Sequence, residues 1–185
     1  MDWYRIRHTL GMFLTSTAVK RAAYLKKHEI LYRMGDNCMV MFRKIPLYPK
    51  LISFGNNVWV ASGVRFITHD VIHKMLNGRK GGKRFSERLG CIDIRDNVFI
   101  GTDAILMPDV TVGPDVIVGA GSLVNKSISN GVYAGVPARY ICSLDEYMQK
   151  RKAAPKVKVV REKGGSLSEQ TVRECWERFE RREKE

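Results

Sequence analysis

The stretch that decides the fold runs from Ile94 to Ser129 and divides into six-residue units: IRDNVF, IGTDAI, LMPDVT, VGPDVI, VGAGSL and VNKSIS. The first position of every unit is Ile, Leu or Val, and the fifth is small or apolar. Neither the period of a helix nor the alternation of a strand produces such a repeat. Hexapeptide repetition is the sequence signature of a parallel β-helix, in which short strands wind round one stacked apolar core.

The same period extends upstream of this stretch. FGNNVW at Phe54 and VASGVR at Val60 fit the template, and FITHDV follows in phase. From Met34 the repeat is less regular, and Pro46 and Pro49 indicate a corner or a bulge there. The sequence therefore predicts a mainly β domain made of stacked coils.

One segment, residues 71–89, interrupts the coils. It contains Asn-Gly and Gly-Gly pairs, which cannot continue the repeat, so we expect it to project as a loop. Long ordered loops in compact domains usually carry function. It also carries a basic cluster, Arg79, Lys80, Lys83 and Arg84.

The chain is predicted to contain three segments: an N-terminal helical segment (1–33), the β-helix with its loop (34–141), and a C-terminal basic connector with a helix (142–185). Residues 2–28 are expected to form one helix whose apolar face packs on its own domain. That face consists of Trp3, Ile6, Leu10, Phe13 and Leu14. A capping box of Ser166 and Glu169 is expected to open the last helix.

Composition bounds the possible functions. The 185-residue chain has a formal net charge of +13, which favours anionic partners without selecting one. Its four cysteines form no C-x-x-C pair, which argues against a zinc site or a disulfide framework. We expect a cytoplasmic protein, since no apolar run approaches the roughly 20 residues of a membrane span and no signal peptide is evident. Nucleic-acid binding is not expected, because the aromatic residues are not interleaved with the basic ones.

Several motifs resemble one family. FGNNVWVASGVRFITHD, NVFIGTDAILMPDVTVGPDVIVGAGSLVNK and the closing YAGVPAR are similar to the bacterial hexapeptide-repeat acetyltransferases, especially the galactoside, maltose and capsular-polysaccharide O-acetyltransferases. The resemblance covers roughly Met34 to Ile141. It implies a left-handed parallel β-helix, a homotrimer with active sites between subunits, and acetyl-coenzyme A as co-substrate with no metal. The implied reaction is transfer of an acetyl group to a hydroxyl of a sugar or glycan.

His69 is the candidate catalytic residue. It ends a regular hexad immediately before the predicted loop, and an imidazole is the usual base for removing a proton from an attacking hydroxyl. The resemblance implies this role for the histidine of this motif. His73 is an alternative that orients or binds the acceptor. Asp70 is a further candidate for the acceptor site. Its carboxylate is less suited to orient His69, because adjacent side chains of a strand point to opposite faces.

The donor site has a geometric argument of its own. If three hexads form one coil, residues 18 apart lie above one another, and Thr102, Ala120 and Ala138 have that spacing. Small side chains there would leave the backbone open to a thin pantetheine arm. The resemblance implies that Thr102 and Ala120 contact coenzyme A, with further contacts from Asn125, Lys126 and Arg139.

Other functions remain open for this sequence. A γ-type carbonic anhydrase needs three zinc-binding histidines, whereas the predicted coils and loop contain only His69 and His73. A serine or amino-sugar N-acetyltransferase would use the same fold. A non-catalytic trimeric binding scaffold is the alternative from a different class, and it would need neither His69 nor the column of small residues.

Overall fold

The chain divides into two units, Met1–Tyr147 and Met148–Glu185. Short strands separated by tight turns make up most of the first unit. The computed structural model describes residues 3–154 and 156–183. The helices are α1 (Trp3–Leu14), α2 (Ala18–Lys27), α3 (Ile72–Lys80), α4 (Leu144–Ala153) and α5 (Glu169–Arg182). The strands are β1 (Arg33–Met34), β2 (Met39–Val40), β3 (Ile52–Phe54), β4 (Val58–Val60), β5 (Arg65–Phe66), β6 (His69–Asp70), β7 (Arg88–Leu89), β8 (Ile92–Ile94), β9 (Val98–Ile100), β10 (Ile105–Leu106), β11 (Val110–Val112), β12 (Val116–Val118), β13 (Leu123–Val124), β14 (Gly131–Ala134) and β15 (Arg139–Cys142).

The strands stack into three parallel faces, which confirms the β-helix predicted from the hexads. Face A has the order β1-β3-β8-β11, face B contains β2-β4-β9-β12-β14, and face C has the order β5-β10-β13. Pairs such as Ile92 with Val110 and Ile105 with Leu123 are 18 residues apart, so three hexads form one coil. Successive coils therefore place equivalent residues about 4.8 Å apart along the axis.

The repeat positions fill the core. All six first-position residues from Ile94 to Val124 are at most 1% exposed. Each such side chain contributes roughly 1.5–3 kcal/mol by leaving water, and this stacked core offsets the ordering of many short strands. The fifth position is also buried in the first five hexads, including the small Ala104 and the polar Ser122, both 0% exposed, whereas Ile128 in the last hexad is partly buried.

Three corners connect the faces, and they are named here by the faces they join. Corner AB carries a ladder in which Asn57 Nδ2 donates to Asn97 Oδ1 (3.0 Å) and Asn97 Nδ2 donates to Asp115 Oδ1 (2.9 Å). All three residues have positive φ, which Asn and Asp tolerate better than other non-glycine residues. Corner BC comprises residues 61–64, 101–104 and 119–122. Corner CA follows β5, β10 and β13.

The excursion at residues 71–89 leaves the coils as predicted, but it is not only a loop. It contains α3, and its two ends form an antiparallel hairpin in which His69 pairs with Leu89. The Asn77 side chain closes the turn, since its Oδ1 accepts from the backbone N–H groups of Arg84 and Phe85 (both 2.9 Å). The glycine-rich sequence of the excursion did not predict this helix and hairpin. The side chain of Lys80 lies outside the described part of the excursion.

The prediction of one N-terminal helix is wrong. Helix α1 ends at Leu14, and α2 starts after Thr17, whose side chain caps it by accepting from Lys20 N. The expected packing of the apolar face is also wrong, because α1 buries the opposite side, with His8 and Met12. A Cβ on Gly11 would lie 2.2 Å from the Tyr24 hydroxyl, so this glycine allows the contact with α2. Met1 and Asp2 lie outside the described residues.

The C-terminal unit contains the predicted helix, α5, but not the predicted capping box. Ser168, rather than Ser166, caps α5 by accepting from Thr171 N. Ser166 instead belongs to a turn in which its carbonyl accepts from Glu162 N (3.0 Å). The backbone of that turn competes with helix initiation at Ser166.

Candidate active site

His69 lies at corner CA, where the chain leaves the coils. The preceding residue, Thr68, is 0% exposed, and its Oγ1 donates to the Leu47 carbonyl (2.9 Å). The Thr68 carbonyl in turn accepts from Gly90 N (2.9 Å), where the chain re-enters the coils. Buried anchoring on both sides therefore fixes the backbone that presents His69.

The hairpin stem is also tied to the next coil. Arg88, which pairs with Asp70 across the stem, lies 3.3 Å from the carboxylate of Asp109. Both side chains are more than half exposed, so the ion pair orients the stem more than it stabilises the fold.

The sequence did not reveal the aromatic partner of His69. The Tyr48 ring lies edge-to-face against the imidazole, with ring centroids 5.0 Å apart. Its hydroxyl donates to Glu87 Oε1 (3.3 Å), and the negative charge of Glu87, followed by burial and this hydrogen bond, raises the pKa of Tyr48. Tyr48 has a left-handed backbone conformation (φ 54°) between Pro46 and Pro49. The two prolines were the only signal in the sequence that this segment has a fixed shape.

Asp70 and His73 belong to the start of the excursion. Asp70 Oδ1 accepts from the backbone N–H of Ile72, the first residue of α3 (3.0 Å), so this carboxylate is held at the start of the helix. His73 lies in the first turn of α3 and is half-buried. The Nδ1 atoms of His69 and His73 are both enclosed, and within residues 3–154 and 156–183 neither has a hydrogen-bond partner.

Thr102 and Ala120 lie on successive coils at corner BC. The Thr102 carbonyl accepts from Gly121 N (2.7 Å). The side chains of Thr102 and Ala120 are both exposed. A Cβ on Gly121 would meet nothing within 4 Å, so the surface above this corner is open. The corner therefore has the small side chains and accessible backbone that a thin ligand requires.

The prediction that Ala138 continues this column is wrong. Val116 pairs with Gly131, only 15 residues later, so the last coil is shorter than the others. Ala138 instead lies beside β13, where its N–H donates to the Leu123 carbonyl (2.8 Å). The 18-residue rule fails here because β14 is the last parallel strand and β15 returns antiparallel to it.

The predicted polar contacts follow two neighbouring segments. Asn125 and Lys126 come directly after β13 at corner CA, and both are exposed. Arg139 opens β15 and is also exposed, next to the Ala138 that contacts Leu123. Because Leu106 pairs with Val124 and Phe66 with Leu106, Asn125 lies two coils, or about 10 Å, along the axis from the His69 level.

The structure thus divides the predicted site residues between two corners. His69, Asn125 and Lys126 are at corner CA, whereas Thr102 and Ala120 are at corner BC, on the other edge of face C. Within one chain the imidazole and the small-residue corner are therefore separated by the width of face C. A base and an open donor surface exist, but this chain alone does not bring them together.

Within residues 3–154 and 156–183, no group of three or more His, Cys, Asp or Glu side chains is arranged to hold a metal ion. In the same ranges, every helix is too short or too polar to cross a membrane.

Comparisons with known proteins agree with this architecture. Residues 92–126 match the family described as bacterial transferase hexapeptide (six repeats). The chain is 38% identical to a galactoside O-acetyltransferase of Escherichia coli K12 over 115 residues, covering 61% of this chain and 54% of that protein. It is 41% identical to protein CapG of Staphylococcus aureus over 110 residues, covering 55% of this chain and 58% of CapG. The chain thus spans about half the length of these curated relatives.

Solved structures give the same picture of the fold. A maltose O-acetyltransferase from Clostridium difficile 630 superposes with a TM-score of 0.54 and 26% identity, covering 76% of this chain and 84% of that one. A hexapeptide-repeat acetyltransferase from Vibrio cholerae gives a TM-score of 0.56 at 21% identity, covering 76% and 89%. The second similarity concerns the fold alone.

Proposed function

We propose that this chain belongs to the hexapeptide-repeat acetyltransferase family and transfers an acetyl group from acetyl-coenzyme A to a hydroxyl of a sugar or glycan. The observation that carries the proposal is His69, anchored at a coil corner beside an ordered excursion. The names of the relatives, which include galactoside and maltose O-acetyltransferases, support this class of acceptor. The proposal includes left-handed coils, which the family resemblance implies, and a cytoplasmic location, which the four free cysteines support.

His69 is the general base in this proposal. Acetyl-coenzyme A supplies an activated acetyl thioester. His69 accepts the proton of the acceptor hydroxyl as its oxygen bonds to the carbonyl carbon, and returns it to the sulfur as the carbon–sulfur bond breaks. The edge of the Tyr48 ring and the anchored Thr68 support a fixed orientation of the imidazole.

Corner BC receives the donor. Exposed Thr102 and Ala120 leave the backbone of their corner accessible to a pantetheine arm. The proposed contacts to the nucleotide end of the donor lie outside that corner: Lys126 and Asn125 are exposed at corner CA and Arg139 is exposed on β15, and the two cations are suited to the nucleotide phosphates. Asp70 and His73 lie where the excursion begins, which supports a position near the acceptor.

The active sites lie between the subunits of a homotrimer. The separation of His69 from Thr102 and Ala120 by the width of face C supports this arrangement, because a neighbouring chain would supply the second wall of the cleft.

The direct test measures acetyl-coenzyme A turnover against a panel of sugars, amino sugars and amino acids, with His69→Ala and the matched variant His73→Ala. His69→Ala should lower kcat by about two to four orders of magnitude, the usual contribution of a positioned base. Donor binding should change little, because the base meets the acceptor. The proposal fails if His69→Ala retains near-normal turnover, or if His73→Ala is the inactivating change. Preference for an amine acceptor would indicate an N-acetyltransferase, and no turnover in the panel would favour a binding scaffold.

Intersubunit sites are tested by complementation. His69→Ala removes the base, and Ala120→Trp blocks the exposed donor corner, so each variant alone should be inactive. In mixed trimers assembled from equal amounts, about a quarter of the interfaces pair an intact base with an intact donor corner, and activity should return to that fraction. Mixtures that stay inactive would mean that both groups act within one chain.

A further inference from the structure

Helix α1 presents an apolar stripe to the outside of the molecule. Trp3, Leu10, Phe13 and Leu14 are between 57% and 78% exposed, and Ile6 lies among them. At 3.6 residues per turn these side chains fall within a sector about 100° wide. His8 and Met12, on the opposite side, are the buried residues of α1. The most hydrophobic side of the helix therefore faces away from the core that it packs against.

The segment that carries the stripe is strongly basic in sequence. Between Trp3 and His28 it contains six basic residues and no acidic one. The basic residues are Arg5, Arg7, Lys20, Arg21, Lys26 and Lys27, of which Arg21 is buried and Lys26 pairs with Asp36. Arg7 is exposed and borders the stripe on the helical wheel. An apolar helix face beside basic residues suits the interface of an anionic bilayer.

A basic cleft lies next to α1 and is a second, independent feature. It has a volume of about 390 Å³, and its lining includes Arg5, Arg43, Lys44 and Arg65 but, among the described residues, no Asp or Glu. Arg43 joins the cleft to the stripe, because its Nη1 donates to the Phe13 carbonyl (2.9 Å) and its guanidinium lies 5.9 Å from the Phe13 ring centroid. Four cations in one concave region favour a phosphate group.

We propose that the α1 stripe and the basic cleft form a docking surface for an anionic phospholipid membrane. The apolar side chains enter the interface between headgroups and acyl chains, while the cleft holds a headgroup phosphate. Charge favours this occupant over a second copy bound stripe to stripe, since such a pair would bring the basic residues around the two stripes together. The proposal goes beyond acetyl transfer and does not depend on it.

The test uses the full chain and co-sedimentation with two kinds of vesicle: phosphatidylcholine alone, and phosphatidylcholine mixed with phosphatidylglycerol. We expect binding to the mixed vesicles, weakening as salt rises. The double variant Leu10→Gln/Leu14→Gln should lower the partition coefficient roughly a hundredfold, since each leucine contributes on the order of one power of ten when it leaves water. Arg43→Gln and Lys44→Gln should each lower it about fivefold.

Ile141→Gln is the matched control, because Ile141 is 59% exposed but lies on β15. It should bind vesicles like the wild type, and all the variants should keep their solution activity and melting temperature. The proposal is overturned if the chain does not bind the mixed vesicles, or if the leucine variant binds them normally. It is also overturned if that variant sediments as a smaller oligomer than the wild type, since the stripe would then be a subunit interface.

Discussion

Replacing Gly101 by Ala should push two successive coils apart at corner BC. A Cβ built on Gly101 would lie 2.5 Å from Ala120 N and 2.8 Å from both the Gly119 carbonyl carbon and the Val118 carbonyl oxygen. All three atoms belong to the backbone of the next coil, so no side chain can rotate away. The Gly101 N–H also donates to that same Val118 carbonyl at 2.8 Å, which holds the two backbones together.

The magnitude follows from these contacts. The neighbouring backbone must move by about half an ångström before the shortest distance becomes tolerable in a close-packed interior. Such overpacking costs about 1–3 kcal/mol, and weakening one or two hydrogen bonds adds about 1 kcal/mol each. We therefore expect the free energy of unfolding to fall by about 2–5 kcal/mol and the melting temperature by roughly 5–20 °C.

Function should change in a selective way. Ala120 belongs to the displaced segment, so the KM for acetyl-coenzyme A should rise at temperatures where the variant is folded, while the acceptor KM stays near its wild-type value. Gly78→Ala is the control, because a Cβ there meets nothing within 4 Å and alanine favours the helix by roughly 0.5–1 kcal/mol. Calorimetry and steady-state kinetics on both variants make the comparison. A Gly101→Ala protein with wild-type stability and donor KM would refute the proposed close stacking at corner BC.

Two further predictions concern charge. Burial, reinforced by the nearby positive charges of His28 and Arg7, lowers the pKa of His8 from its ordinary value of 6.5. Because the unfolded chain then binds the proton more readily, the contribution of neutral His8 to the free energy of unfolding is complete above pH 6.5 and is lost as the pH falls through the lower folded pKa. Denaturant titrations should show that the free energy of unfolding depends less on pH in the His8→Leu variant. An unchanged pH dependence in this variant would contradict the prediction. Neutralising the exposed Arg79, Lys83 and Arg84 to Gln should raise the KM for an anionic acceptor a few-fold at low salt but not for a neutral one. Equal KM values and equal salt dependence in variant and wild type would mean that the excursion does not sense acceptor charge.

The coils and their core could be predicted from the sequence because the information is local and repeated. Each hexad places its first residue inward, and the burial of residues from Ile94 to Val124 follows that rule coil after coil. The position of His69 at the end of a hexad, next to an interruption, could be read in the same way. The pairing of residues 18 apart then follows from three hexads per coil.

The spacing of 18 residues between stacked positions no longer holds in the last coil. Ala138 has the right spacing from Ala120, yet the last coil is three residues shorter and a strand returns antiparallel above it. Helix α1 shows a different limit, since its apolar stripe predicts that one side is buried but not against what. The close contact between Gly11 and Tyr24 accompanies the burial of the other side of α1, with His8 and Met12, and a single glycine in the sequence does not predict that orientation.

The sequence by itself determined the six-residue period, the inward residues of each coil and the identity of the candidate base. Only the tertiary structure decided what surrounds that base: Tyr48 lies 21 positions before His69 and Glu87 lies 18 positions after it. It also decided that the base and the donor surface lie at different corners. A sequence repeat predicts the contacts between equivalent positions of neighbouring coils. Contacts between an interruption, a corner and a terminal helix depend on how the whole chain packs, so a short-range sequence pattern does not predict them.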